Sequence, residues 1–330
     1  MANVPFFTVG VPTYNRAKIF PQAVRAILGQ SFGDFELVLA DNHSADETPT
    51  VAAQIQDPRV QYYRHEKNLG ALGNFNFLAH KARGEFFIVC QDDDLLHRDF
   101  LKRCHENVAA QPDVVMYASP WWRGNTSQGY LSSLMRDRDA RNEEYIINDR
   151  PLVLDGKRAA VSLLHSFYLL HPAIAFRTRE LQAIGCYHND PDSVFDVVTE
   201  VRLLCRGKLV YDPRIGAVFR DHSGNFSRAI DKQSRIIASG RMFHETIADL
   251  EKHQVDWQRL LAEDLDQYSY SEILKIFGEW TRYAAPRAVQ EIGWRVLWAR
   301  NPRTKTWLWK RLISRVGFGN LLRFARSRTR

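Results

Sequence analysis

Apolar positions in the first third of this chain come in short runs separated by segments with helical spacing. Residues 6–11, FFTVGV, form an apolar run ended by Pro12, and IFPQAVRAILGQ behind it carries its apolar residues on one helical face. FELVLAD, residues 35–41, predicts a second strand, and SADETPTVAAQIQ a helix opened by Ser44 with acids in its first turn. VQYYRHE predicts a short strand, NFNFLAHKAR a helix, and EFFIVCQ a strand that runs straight into Asp92, Asp93 and Asp94. DLLHRDFLKRCHENV again has helical periodicity. This β-α-β-α-β-α-β alternation predicts an α/β fold with a mostly parallel sheet covered by helices on both faces. The ligand site of such a sheet lies at the carboxyl ends of its strands. Asn15, Asp41 and the Asp92–Asp94 cluster all fall at such ends.

Residues 117–150 are less regular, and a second α/β portion follows to about residue 226. Beyond it the pattern is helical: IDKQSRIIASGRMFHETIADLEKH, SYSEILKIFGEWTRYA, and segments opened by Pro286 and Pro302 at first helical positions. The expected organisation is a sheet domain over 1–226, with halves 1–116 and 117–226, and a helical C-terminal region over 227–330.

With 330 residues and 45% hydrophobic content, the chain can bury one substantial core plus a smaller appended unit. No apolar run approaches the ~20 residues that span a bilayer. MANVPFFTVGV lacks the plan of a signal peptide, so a cytoplasmic site of action is expected. Four cysteines lie far apart with no C-x-x-C pair, which predicts buried free thiols rather than a zinc site. The net charge is +7, yet 11 Lys/Arg and no Asp/Glu lie between Ile292 and Arg330, so the other 291 residues carry −4. The basicity belongs to the tail. There, tryptophans and leucines interleaved with Lys/Arg suit an anionic membrane surface, although packing of the same aromatics on the body is an alternative. No nucleic-acid-binding module accompanies the charge, and nucleic acid is not an expected partner.

Three adjacent carboxylates at the end of a buried strand repel one another and invite a hard divalent cation such as Mg²⁺ or Mn²⁺. The alternative is a solvated acidic turn ahead of the next helix.

Four segments in order carry a resemblance that bears on this choice. VGVPTYNR, LVLADNHSADET, NLGALGNFNFLAHKARGEFF and QDDDLL resemble the nucleotide-cradling loop, the acidic second-strand signature, the segment leading into the metal strand, and the D-x-D-type motif of the family 2 inverting glycosyltransferases of the GT-A fold. The resemblance covers the first 226 residues and implies a Rossmann-like fold and nucleotide-sugar chemistry. It implies donor contacts from Pro12, Tyr14, Asn15, Asp41, Asn68, Asp92 and Asp93. Asn42 stands where the family has a second acid, and Gln91 where a common form has one. Either Asp92 and Asp94 form the D-x-D pair, sharing a face if the segment is extended, or the pair slides by one and Asp93 meets the metal. The first option assigns metal duty to Asp94.

PDSVFDVVTEVRLLCRGKLVYDP resembles the stretch in which an acid opens a helix. Asp196 matches the general base, with Phe195 where many relatives have a Glu. Without the resemblance, Asp196 reads as a helix-start acid. Arg202 either orients Asp196 or faces solvent. FRDHSGNFSR resembles the closing segment of the catalytic domain, which makes His222 a second candidate metal ligand, flanked by Arg220 and Arg228 as groups able to meet phosphate oxygens. LGALG lacks the ending of a P-loop, Ser166 beside His165 lacks a nucleophile-elbow context, and Trp121 with Trp122 fits packing as well as sugar stacking.

The expectation is a Mn²⁺- or Mg²⁺-dependent transferase moving a sugar from a UDP- or dTDP-type donor to a hydroxyl of a glycan, lipid-linked or cell-envelope acceptor, peripheral on the inner membrane face through residues 292–330. A sugar-phosphate nucleotidyltransferase is the first alternative, but PTYNRAKIF is not the Gly-rich basic loop a triphosphate needs. A non-catalytic scaffold that keeps the fold is the second.

Overall fold

The computed structural model describes residues 4–125, 150–165, 169, 171–187, 194–221, 231–268, 270–282 and 285–300. Strand β1 (Phe7–Thr13) is buried along its length except for part-buried Pro12, the signature of a strand covered on both faces. It pairs in parallel with β2 (Phe35–Asp41) on one side and β4 (Phe86–Val89) on the other, and β3 (Val60–Arg64) continues the parallel run beyond β2. Phe7, Val9 and Val11 join one core with Val24 and Ile27 of helix α1 (Phe20–Leu28) and with Phe100, Leu101 and Cys104 of α4 (Phe100–Val108). On the opposite face, a Cβ at Gly10 would meet Leu78 of α3 (Gly70–Lys81) at 3.2 Å. Helices therefore cover both faces.

The order β3-β2-β1-β4 reverses at the β1/β4 boundary. Loops leaving the carboxyl ends of these two strands diverge, and the divergence opens the crevice in which ligands of open α/β sheets bind. The sheet is completed by β9 (Ile174–Arg177), β6 (Val114–Ala118), β10 (Lys208–Tyr211) and β8 (Leu152–Leu154), with β9 antiparallel to both neighbours and β8 antiparallel to β10. A smaller sheet joins β5 (Leu95–Leu96), β11 (Ala217–Asp221) and β7 (Trp121–Asn125).

Of the predicted boundaries that differ, two have a visible cause. Helix α2 (Thr48–Ala53) begins four residues after Ser44, because the Ser44 hydroxyl accepts from the Asn15 backbone N–H at 2.9 Å and leaves the capping role unfilled. Leu95 and Leu96 are strand rather than helix, because β11 offers them backbone partners and His97 N donates to the Gly216 carbonyl at 2.8 Å.

In the second half, Asp155 caps α5 (Gly156–Ser162) by accepting from Arg158 N. Then follow α6 (Thr178–Ala183), α7 (Phe195–Leu204) and α8 (Lys232–Lys252). Arg202 of α7 donates to Asp249 of α8 at 2.6 Å, so it neither orients Asp196 nor faces solvent alone. The chain divides into two compact units after Val255, and α8 belongs to the first by packing. The second unit holds α9 (Trp257–Leu265), α10 (Tyr270–Arg282) and α11 (Arg287–Arg300), built on buried Leu261, Ile273, Phe277, Trp280, Val289 and Ile292. All four cysteines are free and buried. Among the described residues, no helix is long and apolar enough to cross a membrane.

Candidate active site

Parallel register brings Thr13, Asp41 and Arg64 side by side at the carboxyl ends of β1, β2 and β3. Asp41 is fully buried. One carboxylate oxygen accepts from Ser44 N at 2.8 Å and the other from the Tyr62 hydroxyl at 2.7 Å, with Arg64 Nε at 3.8 Å. Burial, and then Asp41 itself, pushes the Tyr62 hydroxyl up and keeps it a donor. Tyr62 was not singled out from the sequence, yet it pairs with Leu39, two residues before Asp41, and alternation alone puts it on Asp41's face.

The loop after β1 is clasped to the loop after β2. Asn15 adopts φ 54°, in the left-handed region that Asn tolerates, and its side chain accepts from Ala45 N at 2.8 Å. Arg16 N donates to Thr48 and Ala17 N to Asp46. Tyr14 is exposed and Pro12 part-buried. Asn42, where an acid was the family expectation, donates to Asn68 Oδ1 at 2.9 Å and to the Gly70 carbonyl at 3.1 Å, and it accepts from Leu69 N at 2.7 Å. An acid could make only the last of these contacts, so the amide is what fixes the 68–70 loop. Asn68 is thereby engaged within the loop.

Asp92, Asp93 and Asp94 are all buried. They do not lie on an extended segment: β4 ends at Val89, and Asp94 N donates to the Gln91 carbonyl at 3.1 Å, closing a turn. The expectation that Asp92 and Asp94 share a strand face is therefore corrected; the turn sets each carboxylate separately. Asp92 points to the β1 loop, 3.9 Å from Arg16 Nε. Burial, and then the Asp93 charge, pushes the Asp92 carboxyl up to about 7 against the pull of Thr13, Arg16 and the Tyr14 backbone. Asp94 Oδ1 accepts from Arg220 N at 3.0 Å, while Oδ2 is buried with no hydrogen-bond partner among the described residues. Burial and the Asp93 charge hold the Asp94 carboxyl well above the usual range.

An orphaned carboxylate oxygen within a cluster of acids fits a divalent cation, whose charge would favour the ionised forms that burial opposes. Among the described residues, no three His, Cys, Asp or Glu side chains converge as a ready cage. An ion here would take one or two protein oxygens and complete its shell from phosphate oxygens and water, the habit of Mg²⁺-type sites. His222, the other candidate ligand, lies outside the described residues, as does Arg228. Trp121 packs on the core and edge-to-face with Phe219 at 5.9 Å.

Asp196 sits in the first turn of α7, part-buried, with Val197 N donating to its Oδ1 at 2.9 Å. Burial pushes its carboxyl up to about 6. One turn on, Glu200 is buried, and desolvation followed by the Asp196 charge pushes it well up. Phe195 meets Phe75 and Tyr187 edge-to-face, and the Tyr187 hydroxyl lies 3.2 Å from His171 Nε2. Burial brings that imidazole down to about 4, so it is neutral. This aromatic box beneath the acid was invisible in the sequence, because its members come from 75, 171, 187 and 195.

The family model for glycosyl transferase family 2 matches residues 8–179, just over half of the chain. The GalNAc(5)-diNAcBac-PP-undecaprenol beta-1,3-glucosyltransferase of Campylobacter jejuni is 35% identical over 96 residues, 28% of this chain and 31% of that one. The succinoglycan biosynthesis protein ExoO of Rhizobium meliloti is 36% identical over 107 residues, 32% of this chain and 31% of that one. The matches thus span about a third of the length of these two relatives. An uncharacterized glycosyltransferase of Rickettsia typhi is 23% identical over 290 residues, 86% of this chain and 79% of that one. Among solved structures, S. aureus TarS 1-349 in complex with UDP-GlcNAc superposes with a TM-score of 0.55 at 15% identity, over 88% of this chain and 90% of that one. The mannosyltransferase PcManGT of Pyrobaculum calidifontis, in complex with GDP-Man and Mn²⁺, gives 0.52 at 18%, over 93% and 84%. These likenesses show a shared GT-A fold. With a reversed parallel sheet, four motifs at its carboxyl edge and a family match across both, the chain belongs to glycosyl transferase family 2.

Proposed function

We propose that this chain is a metal-dependent inverting glycosyltransferase. It moves a sugar from a nucleotide diphosphate donor, with UDP or dTDP as carrier, to a hydroxyl of a glycan, lipid-linked or cell-envelope acceptor. The observation that carries the reading is the meeting of the clasped β1 and β2 loops with the buried Asp92–Asp94 turn, at the switch point of the sheet. The first holds a nucleoside and the second a diphosphate. Pro12, Tyr14, Asn15, Asp41, Asn68, Asp92 and Asp93 form the donor side, and Asp94 with His222 would hold Mn²⁺ or Mg²⁺. When bound, the ion supplies Lewis-acid stabilisation of the departing diphosphate's charge.

Asp196 takes the acceptor proton as the hydroxyl oxygen attacks the anomeric carbon. A base raised to about 6 is still ionised near neutral pH and is a stronger proton acceptor than an ordinary aspartate. A lipid-linked acceptor is favoured by the C. jejuni relative, whose name specifies a PP-undecaprenol-linked glycan. The test is donor hydrolysis across a panel of nucleotide sugars with and without Mn²⁺. Metal-dependent release of nucleotide from one donor is expected, and no binding or turnover with any of them would defeat the reading. Pyrophosphate release from a nucleoside triphosphate and a sugar phosphate would instead favour a nucleotidyltransferase.

A further inference from the structure

The sequence offers Arg220 as a phosphate ligand, yet the fold turns its side chain inward. Arg220 is 4% exposed. Strand β11 pairs antiparallel with β5 through Val218–Leu95, so two residues on Arg220 lies alongside the Asp93–Asp94 turn. Three of its ties matter here. Its backbone N donates to Asp94 Oδ1 at 3.0 Å, its Nε donates to the Asp93 carbonyl, and its Nη1 donates to the Gln22 side-chain oxygen of α1 at 2.6 Å. The guanidinium thus joins the acid turn, the helix behind the β1 loop and the strand that leads towards residue 222.

The consequence falls on Asp94. With Oδ1 held by the Arg220 backbone and the turn braced by the guanidinium, Oδ2 is the oxygen left for an ion. The brace matters because the three carboxylates repel one another: Asp92 is held towards the β1 loop by Thr13, Tyr14 and Arg16, the Asp94-to-Gln91 backbone bond closes the turn locally, and Arg220 ties its Asp93–Asp94 end to β11 and α1. A planar fork can satisfy a carbonyl and an amide oxygen at once, which a lysine ammonium does less well. We propose that Arg220 is a positioning residue for the metal site, acting through the Asp93–Asp94 turn and not by contact with the donor phosphates. The proposal rests on the reading of Asp94 as the metal ligand.

The test measures Mn²⁺ affinity of the full chain by counting free Mn²⁺ in electron paramagnetic resonance, alongside UDP binding in metal-free buffer. Arg220→Met is expected to weaken Mn²⁺ binding by about tenfold or more, the scale seen when an outer-shell partner of a metal ligand is lost. UDP binding without metal should stay within about threefold, since positioning leaves the nucleoside contacts intact. Arg220→Lys should recover part of the loss, and Gln22→Leu, which removes only the far anchor, should show a smaller loss in the same direction. Unchanged or tighter Mn²⁺ binding by Arg220→Met would overturn the proposal. So would loss of metal-free UDP affinity, which would make Arg220 a phosphate ligand, or equal loss of both affinities with a lowered melting temperature, which would make it purely structural. Asp94→Ala with wild-type Mn²⁺ affinity would instead locate the failure in the reading of Asp94.

Discussion

At the scale of single residues, the acids separate by environment. If Asp94 holds the metal as proposed, Asp94→Ala removes an anionic ligand while the sheet beneath is untouched, so metal-dependent turnover should vanish and the fold survive. A variant that keeps the wild-type response to Mn²⁺ concentration would pass the metal role to Asp93. Asp41→Ala should mainly raise the donor's KM, because a group that holds the nucleoside does so equally in the ground and transition states. A fall in kcat at unchanged KM would contradict that role. Asp196→Asn keeps shape and removes the proposed base, so turnover should fall by ~10²-fold or more with donor affinity near normal. The sign of the pH effect follows from the raised carboxyl: ionised base is required, so wild-type turnover should rise as pH increases through about 6 and then level. For stability the sign is opposite. A carboxyl raised from 3.8 to about 6 in the fold contributes stability below 3.8 and loses it as pH rises through 6. Asp196→Asn should therefore melt higher than wild type at pH 8 and no higher at pH 3, a comparison that scanning calorimetry makes directly.

At the scale of elements, what the sequence shows is local and what it hides is non-local. The FELVLAD strand is found where it was expected, residues 35–41, because the short apolar run Leu37–Ala40 near turn residues has few other readings. Leu95–Leu96 escaped because its partner strand begins at Ala217, and no local spacing reports a pairing at that separation. The position of Asp41 at a strand end was legible, whereas the inward turn of Arg220 was not, since Gln22 and Asp93 lie far from it in the chain. Ser44 shows the competition: it was expected to open the helix, but the Asn15 backbone N–H claims its hydroxyl and α2 starts at Thr48. Element contacts also yield a prediction. A Cβ at Gly156, the first residue of α5, would lie 1.7 Å from the Gly207 carbonyl oxygen and 2.2 Å from that of Leu204, both backbone atoms that cannot swing aside. Gly156→Ala should therefore destabilise by about 1–3 kcal/mol or more, the usual cost of forcing extra volume into a packed site. Urea unfolding checks it, and an unchanged midpoint would mean that α5 can slide away from the end of α7.

At the scale of the whole molecule, the issue is where the basic, tryptophan-rich end of the chain acts. Part of it is already accounted for inside the second unit: Ile292 is buried, and Trp294 meets Phe277 edge-to-face at 4.7 Å. These residues serve packing, so that portion of the segment is removed from the membrane hypothesis. Residues 301–330 lie outside the described residues, and they carry Trp307, Trp309, Leu312, Ile313, Phe318, Leu321, Leu322 and Phe324 with nine of the 11 basic charges. Residues 1–300 carry 7 − 9 = −2, a body repelled by an anionic bilayer, so adsorption would have to be driven by this segment alone. The informative truncation ends at Arg300, because ending near Ala285 would strip α11 and its buried Val289 and Ile292 from the second unit. Full-length protein is expected to sediment with vesicles rich in anionic lipid at low salt and to be partly released at high salt, as screening of Lys/Arg contacts requires. The chain ending at Arg300 should remain in the supernatant with an unchanged melting temperature and unchanged donor hydrolysis, while transfer to a vesicle-borne lipid acceptor falls. Equal sedimentation of the two chains, or none by either, would return these tryptophans to the protein's own interior and leave the acceptor to be found by the catalytic unit alone.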